Sequence, residues 1–334
     1  MTAGGPPALS VVVMGYHDRR TIVRAVQSVL DQTSPEPFEV VVVTSGDDDS
    51  AEAVRAAFPT LAVVASPTRL LPGGARNRGV AAARGRVVAF LAADCLAEPG
   101  WVRARLSAHA AGHAAVASAV TNGERRSLPA WGFHFELYAR RLPGRPSGWI
   151  AHTDPACHGL SYDRALLARL GPFDDRVEIG EDTDAALRLE ALEVPVWFER
   201  GIRTAHLGPT RTLDMLRDRY RRGRRAAIHD RVDARPTAVA MMQLLPGWTR
   251  RLASTLVLSW RRAEQDRAWV VAAAPWIVAA RAAGLAGWYA GCGGGRGGEE
   301  PAPQGIPARG AVVVGQNDPD HGIDPRNDPA ATGR

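Results

Sequence analysis

Three groups of side chains in this sequence have the types and spacing that chemistry needs. The first is Glu181-Asp182-Thr183-Asp184, three acids in four positions directly after Gly180. An alcohol hydroxyl is too weak an acid to attack at neutral pH, and a carboxylate within hydrogen-bond reach takes its proton in the transition state. The same acids also suit the first turn of a helix, where each complements the macrodipole by about 0.3–1 kcal/mol. The second group is Asp94 with His206, an oxygen and an imidazole ligand for Mn2+ or Mg2+; carboxylate suits both ions, and imidazole suits Mn2+. Each has a plainer use, Asp94 as a turn residue and His206 as a packed strand histidine. The third is Gly73-Gly74 with Arg76-Asn77. A glycine pair opening a helix can present backbone N–H groups to phosphate. Asp47-Asp48-Asp49 resembles a fourth group, but acids before Ser50 fit a solvated turn and a helix N-cap.

These groups are positioned by alternating strands and helices. Residues 9–14 (LSVVVM) and 38–43 (FEVVVV) are continuous apolar runs, the pattern of strands buried on both faces. Residues 61–65 and 86–92 add two more strands. Helices are predicted over 21–32, where Ile22, Ala25, Val26, Val29 and Leu30 fall at helical spacing, and over 50–58 and 74–83. The alternation implies an α/β fold with a doubly wound, mostly parallel sheet flanked by helices. Ligands of such sheets sit beyond the carboxyl ends of the strands. The stretch 73–98 delivers glycines, arginines and Asp94 to that edge, and the polar loop Gly15-Tyr16-His17-Asp18 follows the first strand. Farther on the pattern predicts a helix over 98–109 and a strand over 114–120. Loops with a short helix are expected over 121–160. A helix over 161–170 stops at Gly171-Pro172, a second covers 181–192, and short strands cover 194–198 and 203–206.

Of 334 residues, 46% are hydrophobic, enough for a large core. All 41 basic residues are arginine, and the net charge of +6 suits anionic partners. The three cysteines, Cys95, Cys157 and Cys292, have no metal or redox spacing and read as reduced thiols. MTAGGPPALS has neither a basic nor an apolar leader region. Arginines crowd into 211–225, and five of nine tryptophans, Trp248, Trp260, Trp269, Trp276 and Trp288, come late. The stretch 268–290 is long enough to span a bilayer but holds Pro275 and Arg281. It reads better as helices lying in the interface, with the 211–225 arginines on anionic lipid; a helical subdomain packed on protein stays open. Residues 291–334 are rich in Gly, Pro and Asp and read as a disordered tail.

In order along the chain, LSVVVMGYHD, VVVVTSGDDDS, GGARNRGVAAARGRVVAFLAADC, HGLSYDRALLARLGPFDD with GEDTDAALRL, and WFERGIRTAHLGP resemble the segments of family 2 glycosyltransferases, which have the GT-A fold. The resemblance covers about residues 8–228. That implies a GT-A domain over 1–228, a helical and membrane-associated region over 229–290, and the tail. It implies a metal at Asp94 and His206, and Asp182 as catalytic base with Glu181 beside it. Gly15, Tyr16, Thr44, Ser45, Gly74, Arg76, Asn77 and Asp94 would bind the donor, while Arg164 and Arg188 would scaffold or meet phosphate. Two positions depart from the family: Ala92 replaces the first acid of Asp-x-Asp, and Thr44-Ser45 replaces the acid that faces uracil. The expected activity is inverting sugar transfer from a nucleotide-diphosphate donor to a glycan or lipid-linked acceptor, assisted by Mn2+ or Mg2+. The expected location is the cytoplasm, peripheral on the inner face of the plasma membrane. A catalytically weak GT-A scaffold stays open because of the two lost acids. An oxidoreductase lacks G-x-G-x-x-G after the first strand, and no nucleic-acid recognition module accompanies the arginines.

Overall fold

The computed structural model describes residues 5–152, 159–230, 232 and 234–293. Cys157 and the expected tail from 294 onward lie outside the described residues. In chain order the elements are β1 (Leu9–Tyr16), α1 (Ile22–Leu30), β2 (Phe38–Ser45), α2 (Ser50–Ala57), β3 (Ala62–Ser66), α3 (Pro72–Ala82), β4 (Val87–Ala92), β5 (Cys95–Ala97), α4 (Trp101–Ala110) and β6 (Ala115–Asn122). There follow α5 (Leu128–Tyr138), β7 (Gly148–Ile150), β8 (Ser161–Asp163), α6 (Arg164–Leu170), α7 (Glu181–Ala191), β9 (Val196–His206), α8 (Thr212–His229), α9 (Ala238–Arg262), α10 (Arg267–Ala272) and α11 (Ala274–Gly291). They form two compact units. Among the described residues, one holds 5–123 and 140–207, the other 124–139 and 208–293.

The first unit is the expected α/β sheet. β1 pairs in parallel with β2 and β4, and β2 with β3. Beyond β4 the sheet is mixed: β8 runs antiparallel between β4 and β6, and β6 pairs in parallel with β9. β5 and β7 pair antiparallel with the two halves of β9. So β1, β2, β3, β4, β6 and β9 point one way, and their carboxyl ends share one edge. Side chains of successive strand residues point to opposite faces. Val11, Val13, Val40, Val42, Val87 and Leu91 accordingly pack with α1 and α4, whereas Val12, Val41, Val43, Val88 and Phe90 pack on the other face with α3, α6 and α7.

Two expectations are corrected here. The helix over 161–170 begins only at Arg164. Its first three residues are β8, because Ser161 pairs with Ala89 and Val116 and its hydroxyl meets Arg105 Nη1 and His109 Nε2, both at 2.7 Å. Tertiary pairing overrides the local pattern. The two short strands over 194–206 are one strand, β9. The apparent break is a bulge, where the register against β6 shifts between Ser118 and Ala119 and Glu199 Oε1 accepts the Gly201 N–H at 2.9 Å.

The second unit is helical. α11 lies against α8 at backbone distance: a Cβ on Gly287 would stand 1.9 Å from Tyr220 O, and one on Gly223 2.0 Å from Gly284 O. Phe133, Met215 and Ala280 form its small core, and Trp131 stacks on Trp269. Arg281, an anomaly within an apolar stretch, is held by Glu136 of α5 at 3.5 Å and by Thr255 Oγ1 at 3.1 Å. Arg219 of α8 meets the same carboxylate at 2.9 Å. No single helix among the described residues is long and apolar enough to cross a membrane; the segments 264–272 and 274–291 pass that test only as a pair bent by 70°. Removing one partner of a buried ion pair typically costs about 3–5 kcal/mol, because the remaining charge is left uncompensated. Glu136→Gln is therefore expected to lower unfolding free energy by about that amount in a denaturant titration.

Candidate active site

Asp94 lies in the turn from β4 to β5, fixed from two sides. Ala93 N–H donates to Met14 O at 2.8 Å, and Leu207 N–H donates to Asp94 O at 2.7 Å. His206 ends β9, paired across the ladder with Cys95. That register puts His206 Nε2 3.5 Å from Asp94 Oδ2. The imidazole is buried and the carboxylate is 41% exposed. One oxygen and one nitrogen donor at this separation fit a divalent cation, and the imidazole favours Mn2+ over Mg2+. Among the described residues no group of three or more His, Cys, Asp or Glu side chains gathers to hold a metal. The other positions of such an ion would fall to phosphate and water, as they commonly do for Mg2+ bound with nucleotides.

Asp18 joins this edge and was not singled out from the sequence. Its Oδ2 accepts the Tyr16 N–H at 2.9 Å. Gly15 is needed for the close fit: a Cβ there would stand 2.9 Å from both that oxygen and Ala93 Cβ. Burial, reinforced by the negative charges of Asp94 and Asp48, pushes the Asp18 carboxyl up to about 6 despite the Tyr16 N–H. Positive charge arriving near Asp94 would relieve this repulsion.

Thr44 and Ser45 end β2, both buried, in register with Gly15 and Tyr16. The Tyr16 ring is exposed, stacked on His17 at 4.2 Å, with the Arg69 guanidinium 4.9 Å from its centre. Arg69 pairs in turn with Glu178, in the segment that leads into α7. The acids 47–49 form a turn. Asp47 meets His17 at 2.9 Å, Asp48 accepts from Ser50 Oγ at 2.6 Å, and Asp49 pairs with Arg19 at 3.2 Å.

α7 starts after Gly180, whose φ of +96° favours glycine. Because α7 runs back toward the start of β9, its first turn lies at the carboxyl edge of the sheet. There Glu181 is paired with Arg76 of α3, both side chains under 10% exposed. The Arg76 guanidinium also lies 5.5 Å from the Phe173 ring centre. Asn77 exchanges two hydrogen bonds of 2.9 Å with the Phe173 backbone. Gly73 permits the approach of Asp174, whose carbonyl oxygen would stand 2.0 Å from a Cβ at that position, and a Cβ on Gly74 would meet Asp175 Cβ at 3.4 Å. Thus Gly73, Gly74, Arg76 and Asn77 clamp the segment 173–181. Asp182, beside the clamped Glu181, is half-buried, and its Oδ1 accepts the Thr183 N–H at 2.9 Å. Arg164 donates to Ala83 O and Gly85 O, and Arg188 to Leu170 O and Asp184, so both are scaffolding.

The structure thus brings Asp94 to His206 and Arg76 to Glu181, and sets Asp182 on the same sheet edge as Gly15, Tyr16, Thr44 and Ser45. Asp18 was legible as an acid in a loop at a strand end. Arg69 and Glu178, 109 positions apart, carried no signal in the sequence.

Residues 10–170 match the model of glycosyl transferase family 2. The chain is 38% identical over 190 residues to succinoglycan biosynthesis protein ExoO of Rhizobium meliloti, covering 53% of this chain and 53% of that protein. It is 36% identical over 104 residues to ExoU of the same organism, covering 30% of each. The chain thus spans about half or less of these relatives' length. In fold it is similar to a mannosyltransferase from Pyrobaculum calidifontis solved with GDP-Man and Mn2+, with a TM-score of 0.52 and 21% identity over 84% of this chain and 88% of that one. Sheet order and structural likeness agree on the GT-A fold, and residues 10–170 within it are similar to the glycosyl transferase family 2 domain.

Proposed function

We propose that this enzyme moves a sugar from a nucleotide-diphosphate donor to a hydroxyl of a glycan or lipid-linked cell-envelope precursor, with inversion at the anomeric carbon. The observation that carries the reading is the pair of acids on one sheet edge, Asp94 beside His206 and Asp182 beside the clamped Glu181. Asp182 accepts the proton of the acceptor hydroxyl as that oxygen attacks from the face opposite the leaving group. Glu181 holds the helix start through Arg76 and stays out of the proton transfer. Asp94 and His206 would hold Mn2+ or Mg2+, which neutralises charge developing on the departing diphosphate. The exposed Tyr16 side chain lies where a nucleobase would bind, and Thr44 and Ser45 supply hydroxyls where a carboxylate would select uracil. The relatives fit this reading: the two from Rhizobium meliloti are named for succinoglycan biosynthesis, and the structural neighbour was solved in complex with GDP-Man and Mn2+.

We also propose that the helical unit rests on an anionic membrane on the cytoplasmic side. Eleven of the thirteen exposed large hydrophobic residues among those described belong to it. Residues 208–293 carry 15 arginines against six acids. Interfacial helices combine such apolar and cationic faces.

The chemistry is tested with a panel of nucleotide-sugars and Mn2+. Asp182→Asn is expected to keep the wild-type melting temperature and donor affinity while turnover falls about 100- to 10,000-fold; wild-type turnover would remove Asp182 as base. Asp94→Asn is expected to raise the Mn2+ concentration for half-maximal rate by at least about tenfold, and an unchanged Mn2+ response would remove the Asp94–His206 pair as the cation site.

A further inference from the structure

The helical unit contains a feature that sugar transfer does not use. α9 and α11 enclose an open groove of about 330 Å³ with an almost entirely apolar lining. Met241, Leu245 and Trp248 lie on successive turns of α9, facing Leu285, Ala286 and Tyr289 of α11. Its volume is at the lower end of small-ligand sites, roughly 300–1,000 Å³. The rims are apolar too: Val239 and Met242 are about 60% exposed, and Leu245 and Tyr289 are also exposed. Exposed apolar surface of this kind marks an interaction site.

Charge selects the occupant. Arg235 stands where α11 ends, with its Nε donating to Cys292 O at 3.1 Å. Arg251 follows Trp248 by one turn of α9. No acid occurs in α9 or α11, while α9 carries Arg250, Arg251, Arg261 and Arg262. A hydrocarbon slot between two helices that carry arginines and no acid complements an amphiphile with an anionic head. A second copy of the same face would bring arginine against arginine.

We propose that the α9–α11 groove takes one hydrocarbon chain of an anionic membrane lipid, with the lipid phosphate held by the flanking arginines. This rests on the membrane reading of the helical unit and adds a discrete chain site to it. The groove anchors the enzyme by one inserted chain, beyond the diffuse attraction of arginines to a charged surface.

The full chain is mixed with vesicles of phosphatidylcholine alone or with phosphatidylglycerol, and partition is measured by flotation. Ala286→Phe fills the groove without changing charge. It is expected to weaken partition onto phosphatidylglycerol vesicles about tenfold, the equivalent of about two buried methylenes. Donor turnover in detergent-free solution is expected to stay at the wild-type rate. A second readout does not depend on how that variant folds: phosphatidylglycerol with brominated chains is expected to quench Trp248, seen as the difference between wild type and Trp248→Phe. Binding to anionic vesicles with no Trp248 quenching and no loss in Ala286→Phe would overturn the chain site and leave the membrane reading standing. Wild-type chain that fails to float with either vesicle would overturn both. A lipid-independent dimer abolished by Ala286→Phe would overturn the chain site in favour of a contact between copies.

Discussion

One buried ion pair organises the carboxyl edge of the sheet. Arg76 and Glu181 lie 105 positions apart, on helices that both begin at the carboxyl edge of the sheet, and both are shielded from water. Neither charge is tolerable there without the other. Their pairing therefore fixes the start of α7 against α3. The neighbouring contacts serve the same constraint. Asn77 binds the Phe173 backbone both ways, Gly73 admits the Asp174 carbonyl, and the Arg76 guanidinium covers Phe173. Asp182 inherits its place from Glu181, one residue before it.

The other half of the site is set by a strand ladder. β5 is only three residues long, yet its register with β9 puts His206 opposite Cys95 and so beside Asp94. The crowding there is electrostatic as well as steric. Asp18 lies close enough to feel Asp94 and Asp48, and with burial this leaves its carboxyl poised near 6. An edge loaded with negative charge suits a cation that arrives with a diphosphate. The same edge carries the buried hydroxyl side chains of Thr44 and Ser45 at the end of β2.

Much of the sheet was legible because β1, β2 and β4 are short apolar runs with no competing helical period. What escaped depended on distant partners. Ser161–Asp163 reads as the start of a helix until Arg105 and His109 engage Ser161. Gly201 reads as a break until it is seen as a bulge against β6. The roles proposed for Asp94, Asp182 and His206 rest on the family resemblance, since each alone has an ordinary structural use. The resemblance implies that Arg76 and Asn77 bind the donor. The structure engages both in holding 173–181, and pairing over a hundred residues leaves no mark in a local pattern. Arg281, a liability inside a bilayer, is instead the partner of Glu136 from a helix whose length the sequence did not reveal.

The account is tested most directly by a double-mutant cycle on Arg76→Met and Glu181→Met, with unfolding free energy and turnover measured for all four proteins. Each single change is predicted to cost about 3–5 kcal/mol and to depress turnover by misplacing Asp182. The double change is predicted to cost less than the two singles together by about 1–3 kcal/mol. Additive costs, or single variants that keep both stability and turnover, would contradict the claim that this ion pair positions Asp182, the proposed base.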